Sequence, residues 1–372
     1  MSTPSFDVIV IGAGIAGASV AHFLAPHARV AMVERESQPG YHSTGRSAAT
    51  FAPSYGPPQV RALTRASAAF LHELPGVLTP RGALFLARAE QRVALQALAA
   101  RLHDEGALGV RPLDTAAARE RVPVLRRDAA ASALHDVDSM DIDVHALHQS
   151  YLRGARSHGA VLVCDFGVEA IVRTQDGWTL HHGDRCRCLR APIVVNAAGA
   201  WADVVGELAG ARPLGLQPRR RSAFTFAPGG DVDARAWPLV VGIDEDFYFK
   251  PDAGVLLGSP ANADAVPPHD VVAEEVDIAT GIDRIQAATT LTIRRPLRTW
   301  AGLRSFVPDG ELVGGFDDTL AGWFWCCGQG GYGIQTSAAM GAACAALVLG
   351  RTLPEFIVDQ GLSAAQLRCR RT

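Results

Sequence analysis

The chain has 372 residues, of which 48% are hydrophobic, and a formal net charge of −3. That length exceeds one ordinary domain and suits two that share a core, while the charge argues against a nucleic-acid binder. Seven cysteines, an odd number with no CxxC, indicate neither a disulfide framework nor a zinc site and suit a reducing cytoplasm; none of the twelve histidines stands in a metal-ligand spacing such as HExxH, so no metal is expected.

The first predicted element is a strand from Asp7 to Ile11, which runs into Gly12-Ala13-Gly14-Ile15-Ala16-Gly17, a small-residue helix, a second strand from Arg29 to Val33, and Glu34. In that register Gly12 allows a tight turn, Gly14 lets a pyrophosphate approach bare backbone at the positive end of the helix, and Gly17 lets the helix pack closely on the sheet. Glu34 is placed to accept ribose hydroxyls and to repel a 2′-phosphate, which argues against NADP. The apolar stretch Val8 to Ala25 is a poor signal peptide or membrane span: no Lys or Arg precedes it and three glycines interrupt it. After Glu34 a nicotinamide enzyme would continue with further strands and helices. This chain instead runs through Arg35 and a small, polar, loop-like segment with Thr44, Gly45, Arg46, Ser47 and Ala48, which suits a second loop over a polyanion.

The segment GYHSTGRSAA at 40–49 resembles the flavin-binding loop of the D-amino acid oxidase superfamily, and most closely that of the bacterial FAD-dependent D-arginine dehydrogenases. The likeness extends nearly end to end, through DIDVHALHQSYLRGA at 141–155, VVNAAGAWAD at 194–203, LGLQPRRRSAFTFAP at 214–228, FYFKPDAGVLLGSPANAD at 247–264, TLTIRRP at 290–296, TWAGLRSFVPDG at 299–310 and QGGYGIQTSAAMG at 329–341. The resemblance implies an α/β protein with non-covalent FAD, in which a Rossmann-like FAD-binding domain (1–55, 141–205 and 300–372) is interleaved with an antiparallel-sheet substrate domain (56–140 and 206–299). A covalent flavin link through Cys326 or Cys327 is the competing expectation.

Further along the chain, helices are expected around a strand at Ala83 to Ala87. Asp141-Ile142-Asp143 supplies an N-cap for the next helix, and Val161 to Val172 offers strands on which Val168 frames an adenine. Pro192 to Ala198 predicts a buried parallel strand ending in Ala198-Gly199-Ala200, another small-residue turn beside a dinucleotide. Residues 206–298 alternate strand-like runs with turns. Gly331-Tyr332-Gly333-Ile334-Gln335-Thr336 then leads into an Ala-rich helix whose N-terminus suits the negative charge of a reduced flavin. His145 and His148 are expected on a solvated helix face, and Lys250, the only lysine, in a surface turn.

An α-carboxylate calls for the planar, bidentate geometry of arginine. By resemblance, Arg221 and Arg304 match the carboxylate-binding arginines, Tyr55 and Tyr248 match tyrosines of the pocket, and Gly331 offers its carbonyl to the substrate amine. The implied reaction is oxidative deamination of a D-amino acid by hydride transfer from Cα to flavin N5. The imino acid then hydrolyses to a 2-oxo acid and ammonia, and electrons pass to a quinone-type or other acceptor, with peripheral membrane contact conceivable. Ala83 stands where those dehydrogenases carry a glutamate that pairs with a cationic substrate, Glu90 has the wrong strand parity to replace it, and Thr50 replaces a histidine. Neutral or hydrophobic D-amino acids are therefore expected. A peroxide-producing D-amino acid or glycine oxidase and a 2-hydroxy acid dehydrogenase stay open as alternatives.

Overall fold

A computed structural model describes residues 5–107, 109–183, 187–230 and 232–369; Cys186 lies outside them. Its first lobe is a six-stranded sheet in the order Val313–Phe316, Trp323–Cys327, Ile193–Asn196, Val8–Ile11, Val30–Val33, Val161–Val163, parallel throughout except for the first strand named. Val8–Ile11 is apolar at every position because both of its faces are covered. Val8 and Val10 join a core with the helices Ile15–Leu24, Val144–Ser157 and Ser337–Val348, while Ile9 and Ile11 face Trp178, Leu180 and Leu189 of a small antiparallel sheet. The apolar run from Val8 is thus divided between strand, turn and helix, and among the described residues no helix is long and apolar enough to cross a membrane.

The second lobe is one large sheet in the order Asp264–Ala265, Gln217–Phe226, Val255–Ser259, Tyr248–Asp252, Leu239–Gly242, Ala83–Ala87, Ser132–Asp136, Val110–Leu113, with Arg298–Phe306 also paired to Gln217–Phe226. All its pairings are antiparallel but that of Leu239–Gly242 with Ala83–Ala87.

Several elements depart from the expected layout. Helix Pro58–Glu73, expected with the second lobe, packs Val60, Leu63 and Leu71 into the core of the first lobe. Arg298–Phe306 pairs residue by residue with Gln217–Phe226, so Arg304 belongs to the large sheet and not to the closing segment of the first lobe. The helical region before residue 140 also contains the strands Val110–Leu113 and Ser132–Asp136, and the region read as strands and turns contains helix Glu275–Ala288. A three-stranded sheet of Thr50–Phe51, Met140–Ile142 and Leu78–Pro80 ties the lobes together.

Candidate active site

The chain leaves Val8–Ile11 through Gly12, whose φ of 92° is left-handed; a Cβ there would meet the Ala197 carbonyl oxygen at 2.5 Å. Gly14 then caps helix Ile15–Leu24 without a side chain, and the Ile15 amide donates to Thr44 Oγ1 at 3.0 Å, which joins the glycine turn to the 40–49 loop. Glu34 accepts from the amides of Ala13 (3.0 Å) and Glu36 (3.1 Å). From this carboxylate a cavity of about 640 Å³ runs past Arg35 and Val168 to Gly12, Gly14, Thr44, Ala198 and Gly199. Trp201, which no sequence pattern singles out, lines it under the Arg35 guanidinium, 4.3 Å above its ring.

A second space of about 140 Å³ shares Gly14, Thr44 and Gly199 with the first and continues between Ile15, Ala16, Arg46, Ser47, Ala48, Gly333 and Ile334. Of the expected dinucleotide residues, Gly17, Gly45 and Thr336 line neither of these two spaces and act by construction. A Cβ on Gly17 would fall 1.9 Å from the Gly12 carbonyl oxygen, the Gly45 amide donates to Gly40 O at 2.7 Å, and Thr336, at the N-terminus of helix Ser337–Val348, donates its hydroxyl to Tyr332 O at 2.9 Å. Arg46 turns toward the substrate lobe, donating to Val271 O at 2.9 Å and pairing with Asp270, whose carboxyl it holds below its usual range. The glycine cradle, the two contiguous spaces and the acid at their far end fit an FAD molecule. Neither Cys326 nor Cys327 lines either space: both are buried in the core on Trp323–Cys327, so a covalent flavin link has no geometry to support it.

His148 is not on a solvated face. It is 4% exposed, with Nε2 2.8 Å from Ala13 O, and it braces the glycine turn; burial pushes its ring below the usual histidine range, while His145 is exposed. Two histidines one turn apart have the same spacing whichever one faces a neighbour, so the sequence did not distinguish them.

The third space, about 100 Å³, opens from the second at Ser47, Ala48, Arg221, Tyr248, Arg304 and Gly331. Arg221 lies opposite Gly302, and Arg304 opposite Arg219, in the antiparallel register, which puts both guanidinium groups on one face, one step apart diagonally. Arg304 lies against Gly331, where a Cβ would meet its Nη1 at 2.7 Å, so a side chain at 331 would displace the guanidinium. Arg221 Nε is buried without a partner, and burial together with the neighbouring Arg304 pushes the Arg221 guanidinium down to about 10. Two cations side by side, one with an unused donor, call for an anion. Gln335 accepts from the Ala52 amide at 3.1 Å and has its buried Nε2 unpaired at the same wall.

One wall is apolar, made by Ala83, Phe85, Leu239 and Val241, and Thr50, Tyr55 and Glu245 add polar groups beside it. Ala83 is therefore at the cavity as expected, and Glu90 is outside it, exposed and bound to Arg88. The acid that sequence reasoning missed is Glu245. It sits in the turn between Leu239–Gly242 and Tyr248–Asp252 with φ 52°, and its Oε2 accepts from Tyr55 OH at 2.8 Å. A single acidic residue in a turn gives no pattern, and Glu245 is exposed overall although it lines the cavity.

Tyr55 and Glu245 also line a further space of about 540 Å³ with Leu98, Arg101, Ile243 and Tyr332, so their hydrogen bond is the partition between the inner cavity and an outer one. Burial, then the charge of Glu245, pushes the Tyr55 phenol above its ordinary value. The loop carrying Tyr55 is anchored on both sides of it, by Ser54 Oγ donating to buried Asp136 and by Arg61 donating to Gly56 O.

Residues 7–347 match the family described as FAD dependent oxidoreductase. The chain is 27% identical over 250 residues to hydrogen cyanide synthase subunit HcnC of Pseudomonas aeruginosa, covering 66% of this chain and 57% of that protein. It is 26% identical over 332 residues to one component of the anaerobic glycerol-3-phosphate dehydrogenase of Escherichia coli, covering 82% of this chain and 58% of that protein. It thus spans less than two thirds of the length of these curated relatives. Among solved structures, glycine oxidase from Geobacillus kaustophilus superposes with a TM-score of 0.84 at 23% identity over all of both chains, and L-proline dehydrogenase from P. horikoshii with 0.82 at 20% identity over 97% and 99%. These likenesses carry the fold.

Proposed function

The chain belongs to the family of FAD dependent oxidoreductases, and on that premise we propose that it oxidises D-amino acids with neutral or hydrophobic side chains to imino acids, which hydrolyse to 2-oxo acids and ammonia. The observation that carries this reading is the pair Arg221 and Arg304 at the junction of the second and third spaces, with Arg221 Nε unpaired. The glycine turn, the 44–48 loop and the segment before helix Ser337–Val348 would hold FAD, which when bound would supply the acceptor for the hydride equivalent lost from Cα.

The two guanidinium groups bind the α-carboxylate, and the Gly331 carbonyl accepts a hydrogen bond from the amine. With the carboxylate and amine held and the side chain against the apolar wall of Ala83, Phe85, Leu239 and Val241, the three contacts fit one enantiomer only; the family resemblance points to D. Tyr55 closes the pocket and excludes water. Raised by burial, its phenol stays protonated and cannot take the ammonium proton, which therefore leaves to solvent before the pocket closes and the nitrogen lone pair assists at Cα. The apolar wall of Ala83, Phe85, Leu239 and Val241 takes the side chain, and the 100 Å³ of the inner space limits its size. The electrons pass on to a quinone-type or other acceptor.

Glu245 supports a second reading, a cationic side chain paired with that carboxylate. Its Oε2 already accepts from Tyr55, and the wall beside Ala83 is apolar, which favours the first reading. Steady-state kinetics on D-methionine, D-leucine, D-phenylalanine, D-arginine and D-lysine decides between them. The expected outcome is higher kcat/KM for the first three, with Ala83→Glu shifting the ratio toward the cationic pair, because a close charged pair couples by about 1.5 kcal/mol or more. A tenfold or greater preference for D-arginine that disappears in Glu245→Gln would establish the second. Turnover of 2-hydroxy acids alone would overturn both, and a direct peroxide assay separates oxidase from dehydrogenase.

A further inference from the structure

Lys250 is the only lysine among 35 basic residues, and it is 6% exposed rather than in a surface turn. It stands two residues beyond Tyr248 on Tyr248–Asp252, so it leaves the strand on the same side as that cavity residue. Its Nζ donates to Asp141 Oδ1 at 2.7 Å and to the carbonyl oxygen of Ala49 at 3.3 Å. Asp141 is held in turn by Arg81, whose Nε donates to its other oxygen at 2.6 Å and whose Nη1 reaches the carbonyls of Arg235 (2.7 Å) and Trp237 (3.1 Å). Asp141 pairs with Thr50 on one side and Thr79 on the other in the sheet that bridges the lobes. Ala49 ends the 40–49 loop and lines the inner cavity.

Two walls of one cavity, the loop at Ala48–Thr50 and the strand bearing Tyr248, are therefore joined through one ammonium group. A compact ammonium suits the place: it has three donors, of which two are used here, whereas a guanidinium would bring five into a nearly closed space. We propose that Lys250 is a positioning residue that clamps the end of the flavin-side loop to the substrate sheet and so sets the width of the substrate cavity. The proposal deepens the functional reading above and rests on it for the identity of the substrate, but the clamp itself is measurable without turnover.

Because the chain has one lysine, acylation by an N-hydroxysuccinimide ester followed by peptide mass analysis reports on this ammonium group without ambiguity. In the flavin-loaded full-length protein Lys250 should react at least about a hundredfold more slowly than in urea, as expected of a buried group that reacts only on opening. Asp141→Asn should raise that rate about tenfold or more with flavin still bound, and saturating 2-methylalanine, which has the carboxylate and amine but no α-hydrogen, should lower it in the wild type. In kinetics, Lys250→Met should raise KM about tenfold with a smaller change in kcat, because a displaced wall weakens substrate capture.

Native Lys250 reacting as fast as in urea would overturn the clamp. So would a folded, flavin-loaded Lys250→Met with wild-type KM, or an Asp141→Asn protein in which Lys250 stays as protected as before. If Lys250→Met does not load flavin, the labelling of wild type and Asp141→Asn decides alone. A protected, Asp141-dependent lysine in a protein that oxidises no amino acid would uphold the clamp and refute the substrate assignment.

Discussion

On the proposed function, the first lobe would bind the nucleotide and the second the substrate with different material. The first uses backbone: the feature that matters is the absence of a Cβ at Gly12, Gly14 and Gly17, all within one strand, turn and helix. The second uses side chains, with Arg221, Arg304, Tyr55 and Glu245 drawn from four separate segments and brought together by strand register and by one left-handed turn. A backbone site tolerates almost no addition, whereas a side-chain site can be retuned one residue at a time. The cofactor is thus tied to the fold and the substrate to a few positions.

The largest effect that would sharpen this contrast is expected at Gly17. A methyl group there must displace the helix from the Gly12 turn, and overpacking of this kind costs about 1–3 kcal/mol, so Gly17→Ala should purify with flavin content reduced to roughly a tenth or less, measured by absorbance after denaturation. Retention of full flavin content would break the claim that the first lobe admits no side chain at this position.

In the substrate lobe, Arg304→Ala or Arg221→Ala should leave flavin content intact and cost about 1.5–3 kcal/mol in kcat/KM, the range for hydrogen bonds to charged groups. Unchanged kcat/KM in either variant would remove that residue from the carboxylate site. Smaller still is the partition: Glu245→Gln keeps a hydrogen bond to Tyr55 but loses its charge, and about 0.5–1.5 kcal/mol in kcat/KM is expected. The pH profile follows from the Tyr55 shift. A phenol raised by burial stays protonated as pH climbs through its ordinary value near 10, so Tyr55→Phe should leave the alkaline limb of the kcat/KM profile where it is in the wild type. A limb that moves in that variant would make Tyr55 a titrating group in catalysis.

How much could be read from the sequence follows the same division. Strand, glycines, helix and Glu34 lie within the first 34 residues, so periodicity and spacing alone expose them, and the space beside Glu34 and Val168 lies where that pattern puts it. Arg221 and Arg304 came instead from matching blocks around them, since an arginine on a strand has no signature of its own. Glu245, Trp201 and the burial of Lys250 and His148 were invisible because each depends on which neighbour packs opposite, a property of tertiary register. Ala83 shows the converse: its significance lay in the residue it replaces, and the structure places it at the cavity wall.

The most direct test of the central claim is anaerobic mixing of the flavin-loaded protein with D-methionine and, separately, L-methionine, followed by the flavin absorbance. The account predicts bleaching by the D enantiomer, none by the L enantiomer on the same timescale, and loss of the D response in Arg304→Ala at the same concentration. Bleaching by L-methionine in preference to D-methionine, or by neither amino acid while a 2-hydroxy acid bleaches the flavin, would contradict it.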